Sequence, residues 1–160
     1  MNIMLNTAAA FLTVLPITAA IAQPAAPIAV EVEATAKAKA KATLTVAFTG
    51  LASPTGTILL SVFDSEAAFD TGGKPVRQAM IQANGATIET VLAGLRAGRY
   101  AIKAFHDLDG DMTMATNPFG MPTEPFAFSN NAVANMGPAK WADAAFTVTD
   151  GANRHSIVIR

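Results

Sequence analysis

From Ala42 onward, apolar residues recur at every second position in short runs, and turn residues separate the runs. In residues 43–49, Leu44, Val46 and Phe48 alternate with Thr43, Thr45 and Thr49. A period of two puts one set of side chains on each face of an extended strand, and β-branched residues suit that pleated surface. Ser53-Pro54-Thr55-Gly56 reads as a turn, with proline fixing one dihedral and glycine relieving the next. Residues 57–63, TILLSVF, are apolar on both faces, which predicts a central strand. Asp64 to Pro75 reads as an irregular connection anchored by Phe69.

Residues 76–83 read as a third strand. Asn84-Gly85, a dipeptide suited to a type I′ turn, predicts a hairpin to a returning strand with Ile88 and Leu92 on one face. In the fifth strand, Arg99 to Phe105, Tyr100, Ile102 and Ala104 point one way and Ala101, Lys103 and Phe105 the other. Further along, Pro138 predicts a first helical turn and Trp141 a plug at one end of the core. Phe146 and Val148, then Ile157 and Ile159 after the Asp150-Gly151 turn, mark the last two strands. Seven short strands joined mostly by turns predict an all-β fold. It is a seven-stranded antiparallel Greek-key β-sandwich, immunoglobulin- or transthyretin-like, with one long loop and a short helical turn; a small closed barrel is the alternative.

At 160 residues the chain fits one folded domain. Eleven basic and 12 acidic residues give a net charge of -1, without the concentrated basic surface a nucleic-acid partner requires. The absence of cysteine excludes disulfides, thiolate zinc sites and cysteine catalysis. Residues 8–22 form an apolar run ending Ala20-Ile21-Ala22, the pattern of a secretory cleavage site, although no Lys or Arg precedes it. The run is short for a bilayer span and Pro16 interrupts it. The expected organisation is a signal peptide over 1–22, cleaved after Ala22, a flexible linker over 23–41 and a β-sandwich domain over 42–160. This places the protein in the periplasm or outside the cell, with no transmembrane helix after cleavage.

Residues 104–131 carry the densest set of candidate functional side chains. Asp107, Asp109 and Asp111 alternate through one turn and Glu124 follows, with no Lys or Arg between Lys103 and Lys140. Converging carboxylates bind hard cations, as at the start of an EF-hand loop, so a Ca²⁺ site on these four acids is one reading. Met112 stands where that motif needs glycine, Ala115 at a ligand position and Pro118 at the bidentate acid. The other reading is an Asx-rich turn whose carboxylates cap backbone N–H groups. His106 continues the inward face of Tyr100, Ile102 and Ala104 while Asp107 points away, so the two cannot serve one substrate. His106 and His155 are therefore read as buried histidines bonded to nearby backbone.

A hydrolase would need His106 with Glu124 or an Asp, and Ser129 lacks a nucleophile elbow; no catalytic residue is assigned. Met112, Met114, Met121 and Met136 with His106 would make a soft Cu(I) site, or the methionines fill space under the loop. Phe119, Phe126 and Phe128, set among prolines, are read as buried anchors of the loop, and Ser129, Asn130 and Asn131 as its polar fastenings.

The segments TILLSVFDSEAAF, LRAGRYAIKAFHDLDGDM, TNPFGMPTEPFAFSNNA and PAKWADAAFTV resemble the uncharacterised bacterial family catalogued as domain of unknown function 2141. The likeness rests on His106, Asp107, Gly110, Gly120, Pro122, Glu124, Phe128, Ser129, Asn130 and Asn131. Asp109 and Asp111 stand in place of asparagines, Met112 in place of glycine and Ala115 in place of aspartate. The last two departures weaken a metal site more than the fold. The resemblance implies a small exported β-sandwich and assigns no activity. The expected function is a non-enzymatic binding or structural module of the cell envelope, with an envelope protein or a glycan as partner. A Ca²⁺-binding domain is the alternative, and a hydrolase the third.

Overall fold

The computed structural model describes residues 41–160. The expected signal peptide and nearly all of the expected linker lie outside the described residues. The described residues are mostly β, with eight strands: β1 (Ala42–Thr49), β2 (Thr57–Phe63), β3 (Arg77–Gln82), β4 (Thr87–Leu95), β5 (Gly98–Asp107), β6 (Phe126–Phe128), β7 (Phe146–Val148) and β8 (Ala152–Val158). Two short helices, α1 (Glu66–Thr71) and α2 (Trp141–Ala144), flank them. No helix among the described residues is long and apolar enough to cross a membrane.

The strands form two sheets. The smaller has the order β4-β1-β8; in the larger, β3-β2-β5-β6 run side by side and β7 also pairs with β5. Leu44, Val46 and Phe48 of β1 and Ile157 of β8 share one buried cluster with Ile58, Leu60 and Val62 of β2 and Ile102 of β5. Every even-numbered residue of β1 and β2 is buried, as period-two alternation requires, and of the odd-numbered ones only Ala47 and Phe63 are buried too. A second cluster, on the other face of the larger sheet, joins Phe63, Phe69, Phe128 and Trp141. Phe69 is its hub, meeting the rings of Phe63, Phe128 and Trp141 edge-on at centroid distances of 5.5, 6.3 and 6.1 Å. Trp141 thus closes this outer cluster rather than one end of the inner core.

Five further expectations are corrected. The eighth strand is β6, which lies within the span read as a loop; three residues directly after Pro125 give too short a pattern to recognise. The sheets are not wholly antiparallel, because β1 and β8 pair in parallel. They come from the two ends of the described chain, so no tight turn dictates their direction. Asn84-Gly85 closes no hairpin: β3 pairs with β2 and β4 with β1, so the dipeptide carries the chain from one sheet to the other. Neither residue has the positive φ of a type I′ turn, and the Ala83 N–H donates to Gly56 O at 3.0 Å, holding β3 on β2. The segment after Asp64 contains α1, capped by the Ser65 side chain and ended by Gly72 at φ 71°. In turn, α2 begins at Trp141, after Lys140 as cap residue, so Pro138 precedes the helix instead of opening it.

Gly56 fixes how the β1–β2 turn meets β5. Its φ is +84°, and a Cβ there would sit 2.3 Å from Asp107 O and 3.3 Å from His106 Nε2. Gly72 has φ +71° but open space around it. Gly56→Ala should cost about 2–4 kcal/mol, from left-handed strain plus steric displacement, whereas Gly72→Ala should cost only about 1–2 kcal/mol. Urea unfolding of both variants checks this; equal losses would show that the close approach is not rigid.

Candidate functional site

The outer edge of β5 determines the local geometry. Its edge N–H groups find successive partners along the strand. β7 pairs with Gly98 to Tyr100 and β6 with Lys103 to Phe105. In the gap between them, the Ile102 N–H donates to Ser129 Oγ at 2.8 Å, and Ser129 Oγ donates on to Ala144 O at 2.6 Å. Past β6, the His106 N–H donates to Pro125 O at 2.8 Å and the Leu108 N–H to Glu124 Oε1 at 2.9 Å. The ladder thus ends on a carboxylate, which brings Glu124 beside the acidic turn.

Asp107 and Glu124 are both buried. Asp107 accepts from the N–H groups of Gly110, at 2.7 Å, and Met112, at 3.0 Å. The second oxygen of Glu124 accepts from the Ala115 N–H at 3.1 Å. Two carboxylates therefore organise the loop by accepting from its backbone donors in charge-assisted hydrogen bonds. Burial alone would raise the Asp107 pKa; hydrogen bonding by the Gly110 and Met112 N–H groups, joined by Asp109 and the Asp111 N–H, together holds the carboxyl below its ordinary value. Asp109 and Asp111 are exposed and make Asx turns to the N–H groups of Asp111 and Thr113.

Asp107, Asp109 and Glu124 each offer an oxygen within 4.8 Å of the others; Asp111 and His106 are not in that group. The ring of His106 is fully enclosed. Its Nε2 lies 2.6 Å from Thr55 O, so Nε2 carries the proton, and Nδ1 is buried without a partner. A hydrolytic pairing of His106 with Glu124 is not formed, since every hydrogen bond Glu124 makes is to loop backbone. Met112 holds φ 62°, a left-handed conformation that glycine adopts without strain, and its side chain is exposed.

Ser129, Asn130 and Asn131 tie three elements together. The Asn130 amide donates to Asp143 O and Ala145 O, at 3.1 and 3.0 Å, and Asn131 Oδ1 accepts from the Val158 N–H at 2.8 Å. The Asn130 N–H donates to His155 Nε2 at 3.1 Å, and the His155 ring stacks on Phe146 with centroids 4.0 Å apart. His155 is half-buried, and burial lowers its pKa. Phe128, next to this knot, is buried in the outer cluster.

Sequence reasoning missed a cleft of about 820 Å³ on the outer face of the larger sheet. Leu59, Ser61, Lys103 and Phe105 form its floor, and Met114, Phe119, Met121 and Met136 stand among its walls. Phe119 is 87% exposed, which corrects its reading as a buried anchor. The reason is local: Asn117 Oδ1 accepts from the N–H groups of Phe119 and Met121, and the Gly120 N–H returns to Asn117 O, so the residues between form a projecting tip. Three of the four methionines grouped for copper line this cleft, but His106 does not. The signal available was the odd-numbered face of β2 and β5, whose apolar residues need a cover or a ligand.

Two groups should titrate visibly in stability. The folded-state pKa of His155 lies below 6.5, so the unfolded chain binds its proton first and stability falls as pH drops through and below 6.5. Asp107 is depressed below 3.8, so its contribution is present above that pH and is lost as pH falls through the lower folded value. Thermal melts across pH should show both losses, and His155→Gln should remove the upper one only. An unchanged upper slope in that variant would refute the assignment.

No curated protein and no solved structure matches this chain. A family model, described as "Uncharacterized protein conserved in bacteria (DUF2141)", matches residues 46–156, a span from within β1 to within β8 that takes in the acidic turn, the Ser129 knot and every wall of the cleft. The chain belongs to this uncharacterised bacterial family.

Proposed function

We propose that this chain is an exported, non-enzymatic binding module of the cell envelope, built as a Greek-key β-sandwich of immunoglobulin or transthyretin type. Its binding site is the cleft over the outer face of β2, β5 and β6. The observation that carries this reading is the cleft itself. It is in the size range of small-molecule sites, its lining is mostly apolar, and exposed Phe119, Met121 and Met136 stand at its edge. The export part rests on the apolar run of residues 8–22 and its Ala20-Ile21-Ala22 end.

Nile red, an uncharged apolar dye, tests the cleft. Saturable binding with blue-shifted emission is expected for the folded protein. Ser61→Trp, which fills the floor, should weaken it at least about tenfold, the loss of roughly 1.4 kcal/mol. Unsaturable binding, or the same affinity in both proteins, would refute the site.

A second reading, a Ca²⁺ site, is favoured by the convergence of Asp107, Asp109 and Glu124. Ca²⁺ that binds only the native state raises the melting temperature. Thermal melts in millimolar Ca²⁺ and in EDTA should then differ by several degrees, and Asp109→Ala, which removes an exposed ligand, should abolish the difference. Identical melts of the unmodified protein in the two solutions would eliminate this reading.

A further inference from the structure

The cleft holds one ionisable residue, and its setting limits what can bind there. Lys103 is the sole charged side chain in the lining, with Ser61 directly opposite it in the β2–β5 register. Its ammonium lies over the rings of Phe63 and Phe69, at 5.4 and 4.5 Å from their centroids, and donates to Phe69 O at 2.5 Å. An ammonium has three protons, so one carbonyl leaves donors available. Lys103 has no carboxylate partner: the ion pair found among the described residues is Arg154 with Glu89, on the other sheet. Burial lowers the Lys103 pKa; Asp70 opposes that shift and Lys140 adds to it. Asp70 is itself engaged, its Oδ1 accepting from the Trp141 N–H at 2.9 Å. The cleft thus combines a half-buried cation without a paired anion and walls of Leu59, Phe105, Phe126 and methionine.

We infer that the cleft takes a single-chain amphiphile with a carboxylate head, the head on Lys103 Nζ and Ser61 Oγ and the alkyl chain along the Phe and Met walls. Charge complementarity selects the head. A carboxylate would use the available ammonium protons in a partly desolvated setting, where a charge-assisted hydrogen bond is stronger than at an open surface. The methionines select a flexible chain over a rigid ring system, because unbranched thioethers repack around irregular apolar shapes. This inference rests on the cleft being the binding site, and its test separates the two.

Dodecanoate and dodecanol, both below their aggregation thresholds, are titrated calorimetrically into the protein and into Lys103→Met. Dodecanoate should bind the unmodified protein about 10- to 100-fold more tightly than dodecanol, the range given by one hydrogen bond to a charged group. Lys103→Met should bind the two equally, with dodecanol affinity kept as evidence that its cleft is intact. If both compounds bind equally to the unmodified protein, the carboxylate head is refuted and the cleft stands. Binding of neither compound to the unmodified protein overturns the amphiphile, and Nile red then decides the cleft separately. Should Lys103→Met lose its fold, Lys103→Arg replaces it: retained preference for dodecanoate supports the assignment, and a lost one overturns it.

Discussion

Every amide along β5 must find an acceptor, and the rest of the structure follows from how that is met. One edge of the strand is covered by β2. The other edge has no single partner long enough. It is shared by β7, the Ser129 hydroxyl, β6, the Pro125 carbonyl and the Glu124 carboxylate. An unpaired buried N–H costs about 1–3 kcal/mol, so each substitute on this edge is worth a sizeable fraction of a small domain's net stability. The path from Leu108 to Val148 is therefore less free than its sparse secondary structure suggests. It has to return to β5 at several fixed heights.

That requirement explains why the acids look like a site. Glu124 arrives beside Asp107 because the ladder on β5 ends there. Asp107 curls the turn over itself through Gly110 and Met112. The same hydrogen bonds that fold the loop thus cluster the carboxylates, and clustering by itself is the by-product of a structural solution. The cleft has a different origin. The odd-numbered residues of β2 and β5 face away from the inner core, and the 114–122 and 134–138 segments only partly roof them.

Much of the strand pattern was legible because burial on one face imposes a period of two. β1, β2, β4 and β5 stand where alternation in the sequence puts them. Pairing partners were not legible. Asn84-Gly85 has hairpin chemistry, yet the hydrophobic faces of β3 and β4 belong to different sheets, and packing overrode local preference. β6 escaped notice because three residues cannot display a period. Within the site, the polar fastening by Ser129, Asn130 and Asn131 was readable from residue type, but the partners were not, since Ile102, Ala144 and Val158 are remote in sequence. Helix α1 had visible punctuation in Ser65 and Gly72, and was obscured by its brevity.

The parallel pairing of β1 with β8 also orients the domain. Ala42 lies at the end of the sheet where β8 starts, while Thr49, near Ile159, lies at the end where β2 leaves Asp107. The eight residues of β1 span roughly 26 Å. Anything joined ahead of Lys41, whether a fluorophore, a surface linkage or a fusion partner, therefore enters at the pole opposite the acidic turn. Immobilised through that side, the domain would stand with its carboxylates outermost.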